Sequence, residues 1–168
     1  MNRRWLSGAT TLLVATALVS CTVPEGGPLS DENLTWEEAK AETQKTELEI
    51  AELIPATDVV SVVQKPTGTL FSCDAEQHTW YGSTTIEIAP DADAEEIVRA
   101  LESHFREGKR FDVRTRRDVV GEYELQLMSP ETAETYIIGP DDGGATIRIG
   151  SGSPCFTLPD DVYPGGTF

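Results

Sequence analysis

Residues 93–128 read DAEEIVRALESHFREGKRFDVRTRRDVVGEYELQLM, and two periodicities meet within them. Ala94, Ile97, Val98, Leu101 and Phe105 recur at the spacings of three and four that line one side of a helix. Asp93 with Glu96 marks its start, and Gly108 supplies a stop. From Tyr123 the period becomes two. Tyr123, Leu125 and Leu127 alternate with Glu122, Glu124 and Gln126, as on a strand with one face in the core and one in water.

Working outward, short strands are expected over Phe111–Arg116, Thr135–Ile138 and Thr146–Ser151, with reversals at Ser129-Pro130 and Asp141-Asp142-Gly143-Gly144. Upstream, Val59, Val60, Val62 and Val63 form a β-branched run closed by Pro66-Thr67-Gly68. His78, Trp80, Thr84, Ile86 and Ile88 share one parity of a second strand, in which Gly82 marks a bulge or a close approach and Pro90 an end. Before these, Thr35 and Glu38 form a capping box opening a helix that Pro55 stops. Its stripe of Trp36, Ala39, Thr43, Thr46, Ile50 and Leu53 is apolar only at its ends, and Glu37, Glu38, Glu42, Glu47, Glu49 and Glu52 cover the remainder. Such a helix either lies on the domain or acts as a spacer; docking is favoured, because Trp36 and Leu53 would otherwise face water. The order of elements predicts an α+β fold: an antiparallel sheet with one amphipathic helix on a face, an N-terminal acidic helix and one domain over residues 35–159. Residues 160–168 read as a loose tail.

The first segment sets the address. Arg3 and Arg4 precede an apolar run from Leu6 to Leu18, and Leu18-Val19-Ser20-Cys21 closes it with small residues before a cysteine. That is the order of a secretory signal, here residues 1–20. Its ending resembles a bacterial lipobox, which implies a diacylglycerol on Cys21 and a protein held on the extracytoplasmic face of the cell membrane. A membrane-spanning anchor is the alternative, but the run falls short of the roughly 20 residues needed. Residues 21–34, with Pro24, Gly26, Gly27 and Pro28, read as a flexible tether.

Loss of Arg3 and Arg4 leaves 11 basic against 29 acidic residues, moving the net charge from −16 to −18. Nucleic-acid binding, which needs a basic footprint, is excluded on that balance. Of three cysteines, lipidation of Cys21 leaves Cys73 and Cys155, a pair expected to be bonded outside the cytoplasm.

Leu70-Phe71-Ser72-Cys73, Trp80-Tyr81-Gly82-Ser83-Thr84-Thr85 and Ser153-Pro154-Cys155-Phe156, behind a lipobox, resemble small cell-envelope lipoproteins of high-GC Gram-positive, actinobacterial type. The resemblance implies location, a disulfide and an α+β fold. It carries no activity.

Catalytic signals are absent from the sequence. His78 and His104 have no partner at metal-ligand spacing, there is no Gly-x-Ser-x-Gly elbow, and neither metal nor cofactor is expected. Asp91 to Glu96 superficially follows a calcium loop, but Glu96 stands where the turn demands glycine. Arg106, Lys109, Arg110, Arg114, Arg116 and Arg117 place six of the eleven remaining basic residues within twelve positions. Arg110, Arg114, Arg116 and Arg117 are therefore candidates for docking an anionic envelope protein or polymer; the competing reading is charge balance against the acidic first helix, Asp112 or Asp118. Trp80 and Tyr81 are candidates for a protein interface. The functional expectation is a binding module of the envelope, with a hydrolase of unmarked active site as the alternative.

Overall fold

The computed structural model describes residues 34–168; Cys21, the expected signal and the expected tether up to residue 33 lie outside the described residues. Helix α1 spans Trp36–Glu52, followed by strands β1 (Val59–Gln64), β2 (Thr69–Ser72) and β3 (Gln77–Ile88). Helix α2 (Ala94–Glu107) leads to β4 (Asp112–Arg117), β5 (Tyr123–Met128) and β6 (Thr135–Asp141). A 3-10 turn over Asp142–Gly144 joins β6 to β7 (Thr146–Gly152), and β8 (Phe156–Thr157) ends the series. The strands form one antiparallel sheet in the order β1-β3-β7-β6-β5-β4, with β2 and β8 also paired to β3. The fold is α+β, as expected.

Register explains the two faces. Thr84, Ile149, Ile138 and Leu125 stand in one cross-strand row, and all four are buried. Both helices cover this face, α1 over β3 and β7, α2 over β4, β5 and β6. Ile97, Val98 and Leu101 of α2 join Ile86, Leu125, Leu127, Ile138 and Ile147 in the main core. The caps form as the sequence implies: Thr35 Oγ1 accepts from the Glu38 backbone N–H, Glu38 returns a bond to Thr35, and Asp93 caps α2 through the Glu96 N–H. Beyond Ile138 the ladder to β5 ends, so Pro140 is tolerated within β6 beside β7 alone.

A second core holds the opposite end of α1. Trp80 is fully buried there with Ala39, Leu70, Phe156 and Phe168. A Cβ on Gly82 would come within 2.0 Å of the indole and one on Gly68 within 2.6 Å, so the ring lies between two backbones that only glycine lets so close. The expected close approach at Gly82 is thus made by its own strand neighbour. Cys73 and Cys155 are bonded, with Cα atoms 6.4 Å apart, beside this cluster.

Three expectations are corrected. The tail is docked at its end: Phe168 is buried, its ring meets Trp36 edge-on at 5.3 Å, and its backbone exchanges hydrogen bonds with Gly68. It belongs to the core because Trp80 leaves an apolar face that nearer residues do not cover, and the Trp80 Nε1–H donates to the Phe168 carbonyl. Leu53, assigned to the buried stripe, is 40 % exposed at the helix end. Glu47, assigned to the solvated side of α1, is fully buried, because the sheet beneath offers it hydrogen-bond donors.

Candidate functional site

Strand β4 presents its arginines as its alternation requires, with Val113 and Thr115 turned inward and Arg114 and Arg116 exposed. The structure then supplies three of the four candidates with carboxylates. Arg110 lies 3.0 Å from Glu49 of α1 and 3.5 Å from Glu134, and also donates to Thr46 Oγ1 at 2.8 Å. Its partial burial works against the charge, but Glu49 and Glu134 outweigh it and hold its pKa above the ordinary value. Arg116 bonds Glu124 across the ladder at 2.5 Å, which raises the arginine and lowers the carboxyl. Arg117 reaches Glu95 of α2 through both terminal nitrogens, at 2.7 and 2.8 Å. With Arg99 adding to the pull, Glu95 is held down to about 2. Arg114 alone of the four makes no ion pair among the described residues.

The other interface candidates separate. Trp80 points into the second core, so it is no part of an exposed patch. Tyr81 points to the opposite side of β3, onto the sheet face that the helices leave open. Its hydroxyl lies 2.9 Å from where a Gly150 Cβ would stand, so the ring rests on a glycine floor. In register, Ser83, Gly150, Ile137, Gln126 and Arg114 form one continuous row of this face; beside it Thr85, Arg148 and Gly139 align on β3, β7 and β6, and Glu124 and Arg116 on β5 and β4.

Two recesses lie side by side on it. One, of about 190 Å³, is lined by Tyr81, Gly139, Gly150 and Arg148, with Glu122, Glu124 and Asp141 among its walls. The other, of about 200 Å³, is lined by Asp112, Arg114, Gln126 and Thr135. Ile137 borders both. Like Arg114, Arg148 is exposed and makes no ion pair among the described residues. The sequence reading missed Arg148, which stands alone on β7, outside the basic cluster; only strand order and register place it on the same face as Arg114, with β6 and β5 between.

The buried polar cluster around Glu47 was also missed. Its carboxyl group accepts from Thr84 Oγ1 at 2.7 Å, from Gln64 Nε2 at 2.8 Å and from the Ser151 hydroxyl. Each donor belongs to a different strand, so the residue ties α1 to β1, β3 and β7. His104 is exposed on α2, and His78 is half-buried on β3, where its Nδ1 finds no hydrogen-bond partner among the described residues. Among the described residues, no group of three His, Cys, Asp or Glu side chains has metal-binding geometry, and no helix is long and apolar enough to cross a membrane.

Fold and surface together define a two-layer α+β domain with an open, glycine-floored sheet face. No family model matches the chain, and no curated protein matches it. Among solved structures, a DUF4853 family protein from Actinomyces odontolyticus is similar over 86 % of this chain and 78 % of its own, with 14 % identity and a TM-score of 0.48.

Proposed function

We propose that this chain is a lipid-anchored, extracytoplasmic binding module, tethered through a diacylglycerol on Cys21, whose open sheet face holds an anionic, hydroxyl-rich polymer of the cell envelope. The observation that carries the binding half is the pair of adjoining recesses, each with one guanidinium lacking a carboxylate partner among the described residues. Such a guanidinium offers a planar fork of donors suited to phosphate or carboxylate. Arg148 lies on β7 and Arg114 on β4, three strand spacings away, which is about 14 Å across the sheet and selects an elongated ligand over a compact one. Asp118, Glu122 and Asp141 also line the recess of Arg148, while Glu124 is already paired with Arg116, and hydroxyls between the anionic groups are the donors that these carboxylates accept. The lipobox and the Cys73–Cys155 bond support the address.

The test is capture of a purified polyol-phosphate wall polymer by the immobilised full chain. Arg114→Glu with Arg148→Glu removes no core packing, since both side chains are exposed, and should abolish capture while the melting temperature holds. Capture by the folded double variant at wild-type yield would refute the assignment.

A further inference from the structure

The two ends of the strand path are guarded very differently. Edge strand β4 carries Arg114, Arg116 and Arg117, charges of the kind that discourage strand addition. Edge strand β1 reads VVSVVQ, with neither charge nor proline, and its one irregularity is a register shift against β3 between Val59 and Ser61. Val60, Val62 and Val63 are 58, 42 and 61 % exposed, and Leu48 of α1, above the same edge, is 38 % exposed. Between α1 and β1 runs an apolar groove of about 520 Å³, bordered by Leu48, Ile54, Ala56, Val59 and Val62, with Glu52 also in its wall.

We propose that β1 is a self-pairing edge, at which two copies of this chain join antiparallel about a two-fold axis into one continuous sheet. Backbone geometry supports the pairing. Lys65 donates its N–H to Ser83 within the β1–β3 ladder, so by alternation Gln64 and Val62 hold their N–H and C=O groups toward the open side. A two-fold centred on Val62 lets Val62 bond its own copy and sets Gln64 of each copy opposite Val60 of the other, at the margin of the register shift between Val59 and Ser61.

Charge decides in favour of a second copy over a foreign strand. The uncharged strand is flanked by Asp58 on one side and Lys65 on the other. Antiparallel pairing sets the Asp58 end of each copy against the Lys65 end of its partner, so opposite charges meet twice. With a net charge of −16 on the chain, most other faces of two copies repel, and this neutral, self-complementary edge is where approach is least opposed. The same rotation brings Leu48 of each copy toward the groove of the other, covering apolar surface that a monomer leaves in water.

Sedimentation velocity of the full chain in nonionic detergent, over a range of concentrations, tests the proposal. The expected result is a reversible dimer. Val60→Lys with Val63→Lys should dissociate it, raising the dissociation constant at least about tenfold. Asp58→Lys should weaken it, and adding Lys65→Asp to that variant should restore it, which a general loss of folding would not do. Circular dichroism verifies each fold; should the double lysine variant unfold, the Asp58 and Lys65 exchange decides. A monomer at every concentration, a dimer indifferent to these changes, or an exchange that fails to restore would overturn the proposal. So would a stable complex of β1 with an unrelated strand and none with itself.

Discussion

Replacing Glu47 by alanine removes the acceptor shared by three strands. Thr84 and Ser151 are 0 and 1 % exposed, so their hydroxyls lose a partner where water does not reach. Gln64 is better placed, because its Nε2 also donates to the Gln44 carbonyl at 2.7 Å. A buried donor left unpaired costs about 1–3 kcal/mol, so two such donors together with the space vacated by the side chain amount to about 3–5 kcal/mol. For a domain of this size, that corresponds to a fall in melting temperature of about 10–15 °C. Glu47→Gln retains one oxygen acceptor but turns an amide donor toward a donor, and should cost about 1–3 kcal/mol. Ser151→Ala, which leaves the carboxyl two partners, should cost less than either. Thermal and urea unfolding of the three variants with the disulfide intact gives the order directly. A Glu47→Ala protein within about 1 kcal/mol of wild type would refute the reasoning, since it would mean the donors find other acceptors at no expense.

Three further outcomes follow from particular contacts. The Cys73–Cys155 bond closes a separation of 82 residues, for which chain entropy gives on the order of 4–5 kcal/mol; Cys73→Ser with Cys155→Ser should lower the urea midpoint accordingly, and an unchanged midpoint would contradict this. The Glu95 carboxyl is depressed from 4.5 to about 2 by Arg117 and Arg99, so its stabilising contribution is fully present above pH 4.5 and is lost as pH falls through about 2; the difference in melting temperature between wild type and Glu95→Gln should shrink over that window, and a constant difference would argue against the pairing. Gly82→Ala forces a methyl group into the Trp80 indole at a cost of about 1–3 kcal/mol, with a changed near-ultraviolet dichroism; an unaltered spectrum would show that the ring is not held there.

What the sequence disclosed was whatever a single element's periodicity carries. The stripe from Ala94 to Phe105 and the alternation from Tyr123 to Leu127 specify which side of α2 and β5 is inside, and the structure agrees. Valine runs and turn residues mark most strands, but β2 and β8, four and two residues long, escape because they are strands only by virtue of lying beside β3. Glu47 was misplaced for a related reason: a glutamate on an acidic helix reads as solvated unless one knows that Thr84, Ser151 and Gln64 converge beneath it. Phe168 and Trp80, 88 residues apart, are joined by packing that no local pattern announces. The arginine cluster was visible as composition, yet its division into paired Arg110, Arg116 and Arg117 and an Arg114 with no ion pair among the described residues depends on Glu49, Glu124 and Glu95, which come from three different elements. Arg148 enters the surface only through strand order.

The proposed anchor and address rest on Leu18-Val19-Ser20-Cys21, and one mass measurement addresses them. Protein isolated from membranes of a lipoprotein-processing bacterium should yield an N-terminal peptide that begins at Cys21 and carries a diacylglyceryl group. Cys21→Ser should accumulate as the uncleaved, unlipidated precursor. A wild-type N-terminus at Met1, or a mature chain with an unmodified Cys21 thiol, would contradict the account.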